Sequence, residues 1–249
     1  MTLDMTSPLA PKYPTPKAAF WGGVREAAGV PMLIMGASFL GFGSMINDIH
    51  WSVWHALYST LSTWALPGQI AMAEMARSGA PVVAIVSAIA LINARLFPLA
   101  ATLLPHVRRP GIPNWVYYAV AMIIAATSWV GTMRRLPDLE PEQKLPFLLG
   151  FGLLLYCGSP LFAVTGYLMA GQVPLPITLT LVFINPMYFT LLFLKDLKDP
   201  GRIMALFFGA LLGPMTFMLT PDWALVITGL IGGTLAWFLD QRLKKNRGL

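Results

Sequence analysis

The chain has 249 residues, 56% of them hydrophobic and only 11% charged, with a formal net charge of +6. Soluble domains carry about 25% charged residues, and residues 145–194 contain no Asp, Glu, Lys or Arg at all, which excludes a soluble globular fold. The basic residues sit in short loops between apolar runs, so they are a membrane-topology signal and not a nucleic-acid footprint. The single cysteine, Cys157, excludes an internal disulfide and reads as a small core residue.

Residues 1–19 are polar and proline-rich, and read as a disordered cytoplasmic tail without the basic end and apolar core of a signal peptide. Residues 20–240 are expected to form a single transmembrane domain, and 241–249 a basic cytoplasmic tail. Residues 20–26 open the domain as a short interfacial turn of helix. The first span, about 27–46, holds Gly29, Pro31, Gly36, Gly41 and Gly43. Such a density suits close helix packing or a backbone opened to a substrate.

The second span, about 51–76, is interrupted at Pro67-Gly68, with the polar amide of Gln69 beside the break. The third, 80–104, is apolar except for Asn93 and Arg95. An arginine near the centre of a membrane helix costs roughly 2.5–3.5 kcal/mol on insertion scales, so it faces protein or a wet cavity. Two residues apart on a helix lie about 200° apart, so Asn93 and Arg95 share a cavity only if the helix distorts. Pro98 is placed to disturb the carbonyl of Ala94, its partner four residues earlier.

The fourth span, about 115–133, carries Thr127 and Ser128 in its deeper part. The fifth, 145–169, is expected to break at Gly158-Ser159-Pro160, and the sixth, 177–194, carries Asn185-Pro186. The seventh and eighth cover about 203–219 and 223–239, each near the roughly 20 residues a bilayer requires. The fold class is therefore all-α: a polytopic transmembrane helix bundle of about eight spans, with several broken helices. The interruptions at Pro67-Gly68 and Asn185-Pro186 leave an internal repeat open.

Eight spans with both termini cytoplasmic put only Arg108 and Arg109 outside and Arg95 within the membrane, every other Lys and Arg lying inside. His50, His55 and His106 have no ligand spacing, and no serine has a histidine and carboxylate in reach. No metal site, cofactor or enzyme activity is expected.

The motifs resemble those of the AzlC-type branched-chain amino-acid permeases, large subunits of bacterial two-component exporters. Phe20-Trp21-Gly22-Gly23-Val24-Arg25 is similar to the family's F-x-x-G-x-R/K opening, and Pro31 with the Gly36/Gly41/Gly43 run continues it. Ala65 to Gln69 falls at the family's A-G-A-S-Q segment, and Ile92-Asn93-Ala94-Arg95 matches its I/L-N-x-R, with Leu103 to Pro105 as its L-x-P. Phe183 to Phe189 is similar to a later F-x-x-P-x-x-F. The chain departs from the pattern at Leu96 and Phe97, where the family commonly has His and Tyr. It departs again at Thr127-Ser128-Trp129, where many members carry an acidic T-D-E segment.

The resemblance implies a secondary transporter of the bacterial inner membrane, exporting a branched-chain or other small apolar amino acid. It also implies a separately encoded, small AzlD-like membrane subunit as partner. A zwitterion requires partners at both ends. Arg95, or N–H groups at a helix break, would take the carboxylate. Gln69, Asn93, Asn185 or free carbonyls would take the ammonium, with Gly41, Gly43 and Gly68 making room. The alternative is a membrane scaffold or accessory subunit in which the polar pair only fixes helix packing.

Overall fold

The computed structural model describes residues 13–172, 174–195, 200–219 and 224–246, and among them there are helices but no strands. In chain order these are α1 (Pro16–Ala27), α2 (Val30–Asp48), α3 (Val53–Thr63), α4 (Leu66–Arg77), α5 (Val82–Asn93), α6 (Leu96–Val107), α7 (Asn114–Met122), α8 (Ala126–Arg135), α9 (Pro141–Leu168), α10 (Leu175–Lys195), α11 (Pro200–Leu219) and α12 (Ala224–Asn246). The chain is an all-α membrane helix bundle.

The 28-residue α9 is the axis of the bundle, with α1, α2, α3, α6 and α8 packed on it. It runs unbroken through Gly158-Ser159-Pro160, where a break was expected. A proline removes one backbone bond, but opening the helix inside a bilayer would leave several more groups without partners. The Ser159 hydroxyl also donates to the Leu155 carbonyl at 2.7 Å, reinforcing the turn before the proline.

Lipid tails are as apolar as leucine, so close packing rather than water exclusion holds such helices together. On α2 and α9 that contact is backbone to backbone. A Cβ on Gly43 would collide with the Ala163 carbonyl, and one on Gly166 with the Leu40 carbonyl. Phe39, Phe42 and Ile46 of α2 and Phe147, Phe151 and Leu155 of α9 are almost wholly buried around this contact. A second cluster joins Leu103 and Val107 of α6 to Val120 of α7 and Leu148 of α9.

α1 is longer than the short turn expected at 20–26. It starts at Pro16, with the Thr15 hydroxyl accepting the Ala18 N–H at 3.1 Å, and lies along α9. Cys157 is exposed on α9, not in the core, because the neighbouring Leu155, Gly158 and Ser159 form the packed face.

By length and composition, α2 and α9 each suffice to cross a membrane, and two bent pairs add up to two more spans among the described residues. These pairs are α5 with α6, bent by 40°, and α7 with α8, whose axes turn by 116°. The fourth expected span is thus two short helices meeting at a sharp corner. α10 packs against α2 and stays helical through residues 185–186, so the interruption in the second span has no counterpart there. α11 and α12 pack chiefly on each other.

Candidate functional site

Three apolar runs are cut within the bundle, between α3 and α4, α5 and α6, and α7 and α8. The first cut falls at Trp64-Ala65, just ahead of Pro67-Gly68. Proline is favoured in the first turn of a helix, where its missing N–H costs nothing, so Pro67 starts α4 and the chain breaks before it. Trp64 sits in the left-handed region (φ 38°), which costs a non-glycine residue on the order of 1–3 kcal/mol.

α9 holds this strained corner in place. The Trp64 indole donates to Ser159 Oγ at 3.1 Å, and its ring meets Tyr156 edge-on at 5.4 Å. The Tyr156 hydroxyl donates to the Leu61 carbonyl in the last turn of α3, at 2.5 Å. That carbonyl is one of those a helix end leaves without an intrahelical partner.

Gln69 braces the same corner from the other side. It is 1% exposed, and its Nε2 donates to Thr60 Oγ1 at 3.0 Å and Ser59 Oγ at 3.2 Å, tying α4 back to α3. Its Oε1 is buried without a partner, as is Oδ1 of Asn93. Gly68 makes room for the Asn93 amide, since a Cβ there would lie 2.7 Å from Asn93 Oδ1.

The second cut separates the residues of Asn93-Ala94-Arg95. Asn93 ends α5, and Arg95 stands at the start of α6 with Pro98 in the first turn. The Ala94 carbonyl, denied a partner at Pro98, accepts the Phe97 N–H at 3.1 Å. The third cut is secured by Ser128. Its Oγ accepts the Ala125 N–H at 2.9 Å and donates to the Ile123 carbonyl at 2.8 Å.

All three cuts border one cavity of about 1130 Å³, bounded by Pro67 at the start of α4, Arg95, Ala126 at the start of α8 and Phe183 of α10. Its walls are otherwise mainly leucine, isoleucine and valine, with the hydroxyls of Thr180 and Thr190. The N-cap residues of α4 and α8, Ala65 and Ala125, have no side-chain acceptor for the first turn. Leu66 and Ala126, where these helices begin, line the cavity, so two positive dipole ends lie at its wall. Among the described residues Arg95 has no hydrogen bond or ion pair. A cavity with one unpaired cation, two helix N-termini and apolar walls suits a small anionic head on an apolar body.

The residues singled out in the sequence fall in different places. Arg95 lines the cavity, Asn93 packs against Gly68, and Gln69 is bonded to Ser59 and Thr60 of α3, none of these last three lining the cavity. Gly41 and Gly43 are buried on α2, where Gly43 makes the contact with α9, and neither lines the cavity. Asn185 belongs to α10, but its side chain lies outside the described residues. The sequence reading missed Trp64, Ser159 and Tyr156. A tryptophan two residues before a Leu-Pro-Gly break was the only local hint.

The AzlC family model, described as AzlC protein, matches residues 31–173. This is more than half of the chain and takes in α2 through α9. The chain belongs to the AzlC family. The AzlC match contains Arg95 and all three cuts. No curated protein and no solved structure matches the chain. Family and helices together make this a multi-pass membrane protein with a transport-related function.

Proposed function

We propose that the chain is a secondary transporter that exports a branched-chain or other small apolar amino acid across the bacterial inner membrane. The observation that carries this is the unpaired Arg95 in a largely apolar cavity where three helices are cut. Discontinuous helices at mid-membrane are a recurrent way to present backbone dipoles to a substrate. In this reading Arg95 and the first turns of α4 and α8 take the carboxylate, and the apolar walls take the side chain. The orphaned oxygens of Gln69 and Asn93 are acceptors only, as an ammonium requires, and Asn185 is a further candidate. Gly68 gives Asn93 its room, and Gly43 acts by seating α2 on α9.

A small AzlD-like subunit completes the exporter in this proposal, and its co-expression should raise efflux from cells. Both termini are assigned to the cytoplasm. In a Cys157→Ser background, Arg109→Cys should be labelled from outside, and labelling from the cytoplasmic side alone would contradict that topology. The function itself is tested in vesicles loaded with labelled leucine, isoleucine, valine or methionine. Efflux of at least one, saturable and competed by the others, is expected, and leakage no faster than from empty vesicles would refute it.

The accessory reading draws on Gln69, whose amide braces α3 against α4. It leaves the unpaired Arg95 without a role.

A further inference from the structure

The Arg95 cavity has a small polar annex. A recess of about 50 Å³ adjoins it, and Leu66, Pro67, Arg95, Leu96 and Ala126 are walls of both. Cavities that take a whole small molecule start at about 300 Å³, whereas a water needs roughly 10–15 Å³. The recess therefore has room for a head group of a few heavy atoms, and the large cavity beside it has room for the rest of a solute.

Three kinds of donor meet at this recess. Arg95 is the first. The second is backbone, because Leu66 opens α4 and Ala126 opens α8. The Ala65 and Ala125 carbonyls accept the N–H groups of Gln69 and Trp129, so the N–H groups ahead of these have no partner within their helix.

The third is Thr127, which is only 6% exposed and whose hydroxyl has no hydrogen-bond partner among the described residues. A helical threonine can bond the carbonyl four residues earlier, as Thr60, Thr102 and Thr165 do. For Thr127 that carbonyl belongs to Ile123, which already receives the Ser128 hydroxyl at 2.8 Å. Ser38, the other hydroxyl residue in the wall, donates to the Ile34 carbonyl at 3.0 Å. Thr127 thus keeps a buried donor unspent, which is costly unless something fills the recess. No acidic side chain lines the recess among the described residues, so its donors are matched to an anion and not to one another.

We infer that the recess is the seat of the solute's carboxylate, with the Thr127 hydroxyl donating to it beside Arg95 while the apolar side chain stays in the large cavity. Thr127 is then a binding residue for the acid group. This deepens the transport reading above and rests on it.

The test melts the full chain, with any subunit that co-purifies, in detergent with and without leucine. Leucine at about ten times its half-saturating concentration should raise the wild-type midpoint by roughly 3–6 °C. Thr127→Val keeps the shape and removes a hydroxyl that has no partner in the empty site, so the ligand-free midpoint should stay or rise. The same leucine should then lift it by only about 1–2 °C, as expected for about tenfold weaker binding. Thr127→Ser, which keeps the hydroxyl, should respond as wild type. So should Arg134→Gln, which alters the second cavity that Thr127 also borders. Isoamylamine, which is leucine without its carboxylate, should not distinguish wild type from Thr127→Val.

A Thr127→Val chain that melted lower without leucine, or responded to it in full, would overturn the inference while leaving transport in place. A lost response in Thr127→Ser or Arg134→Gln would do the same, as would isoamylamine separating wild type from Thr127→Val. A rise with chloride alone, to which leucine added nothing, would make the recess a seat for a free anion and overturn its assignment to the solute. A wild-type chain unmoved by leucine, isoleucine, valine and methionine would overturn the transport reading as well.

Discussion

The contact of α2 with α9 and the corner between α3 and α4 show opposite ways of building a helix bundle in lipid. On α9 the helices are long and continuous and touch through glycine, with Gly43 on the Ala163 carbonyl and Gly166 on the Leu40 carbonyl. Around Arg95 three apolar runs are cut, and side chains secure the loose ends: Tyr156 on Leu61, Trp64 on Ser159, Ser128 on Ile123. A cut helix in a bilayer leaves polar backbone that only protein or a wet cavity can satisfy. The continuous half therefore acts as frame, and the cut half as the place where polar backbone is made available. α9 belongs to both, since one face seats α2 and another clamps the corner at Trp64.

The largest effect should come from filling the frame. Gly43→Val forces α2 away from α9 and should cost about 1–3 kcal/mol or more, lowering the thermal midpoint in detergent and abolishing a monodisperse species. An unchanged midpoint would remove the distinction between frame and cut half. Next is the clamp. Ser159→Ala leaves the buried Trp64 indole without an acceptor, at about 1–3 kcal/mol, so both the midpoint and the transport rate should fall. If only the midpoint fell, the corner would be structural and separate from the path. Smallest, and opposite in sign, is Gly209→Ala on α11, where a Cβ meets nothing within 4 Å. A helix gains about 0.5–1 kcal/mol from that exchange, so the midpoint should rise slightly with transport unchanged.

Arg95 was legible in the sequence because a charge inside an apolar run has few tolerable places to go. The cut at Ala94-Arg95 was also legible, through Pro98. The cut near Pro67 was legible but displaced, since proline marks the start of the following helix and not the gap itself. Gly158-Ser159-Pro160 shows the same residues failing to cut a helix that is packed on several sides. The 116° corner at α7 and α8 has no proline or glycine to announce it, only the hydroxyl of Ser128. The Trp64–Ser159 bond joins residues 95 apart in the chain, and no local pattern encodes such a contact. Glycines reveal that something comes close, but not what, which is why Gly41 and Gly43 read equally well as substrate room and as packing.

The central claim is that Arg95 is the charge on which the substrate turns. Its most direct test measures leucine, isoleucine, valine and methionine efflux from vesicles containing wild-type, Arg95→Ala or Arg95→Lys protein, each shown by thermal melting to be folded. Losing the one charge that lines the largely apolar cavity among the described residues should lower transport efficiency at least about tenfold, with Arg95→Lys retaining part of it. Efflux of every amino acid at the wild-type rate by folded Arg95→Ala protein would contradict the account.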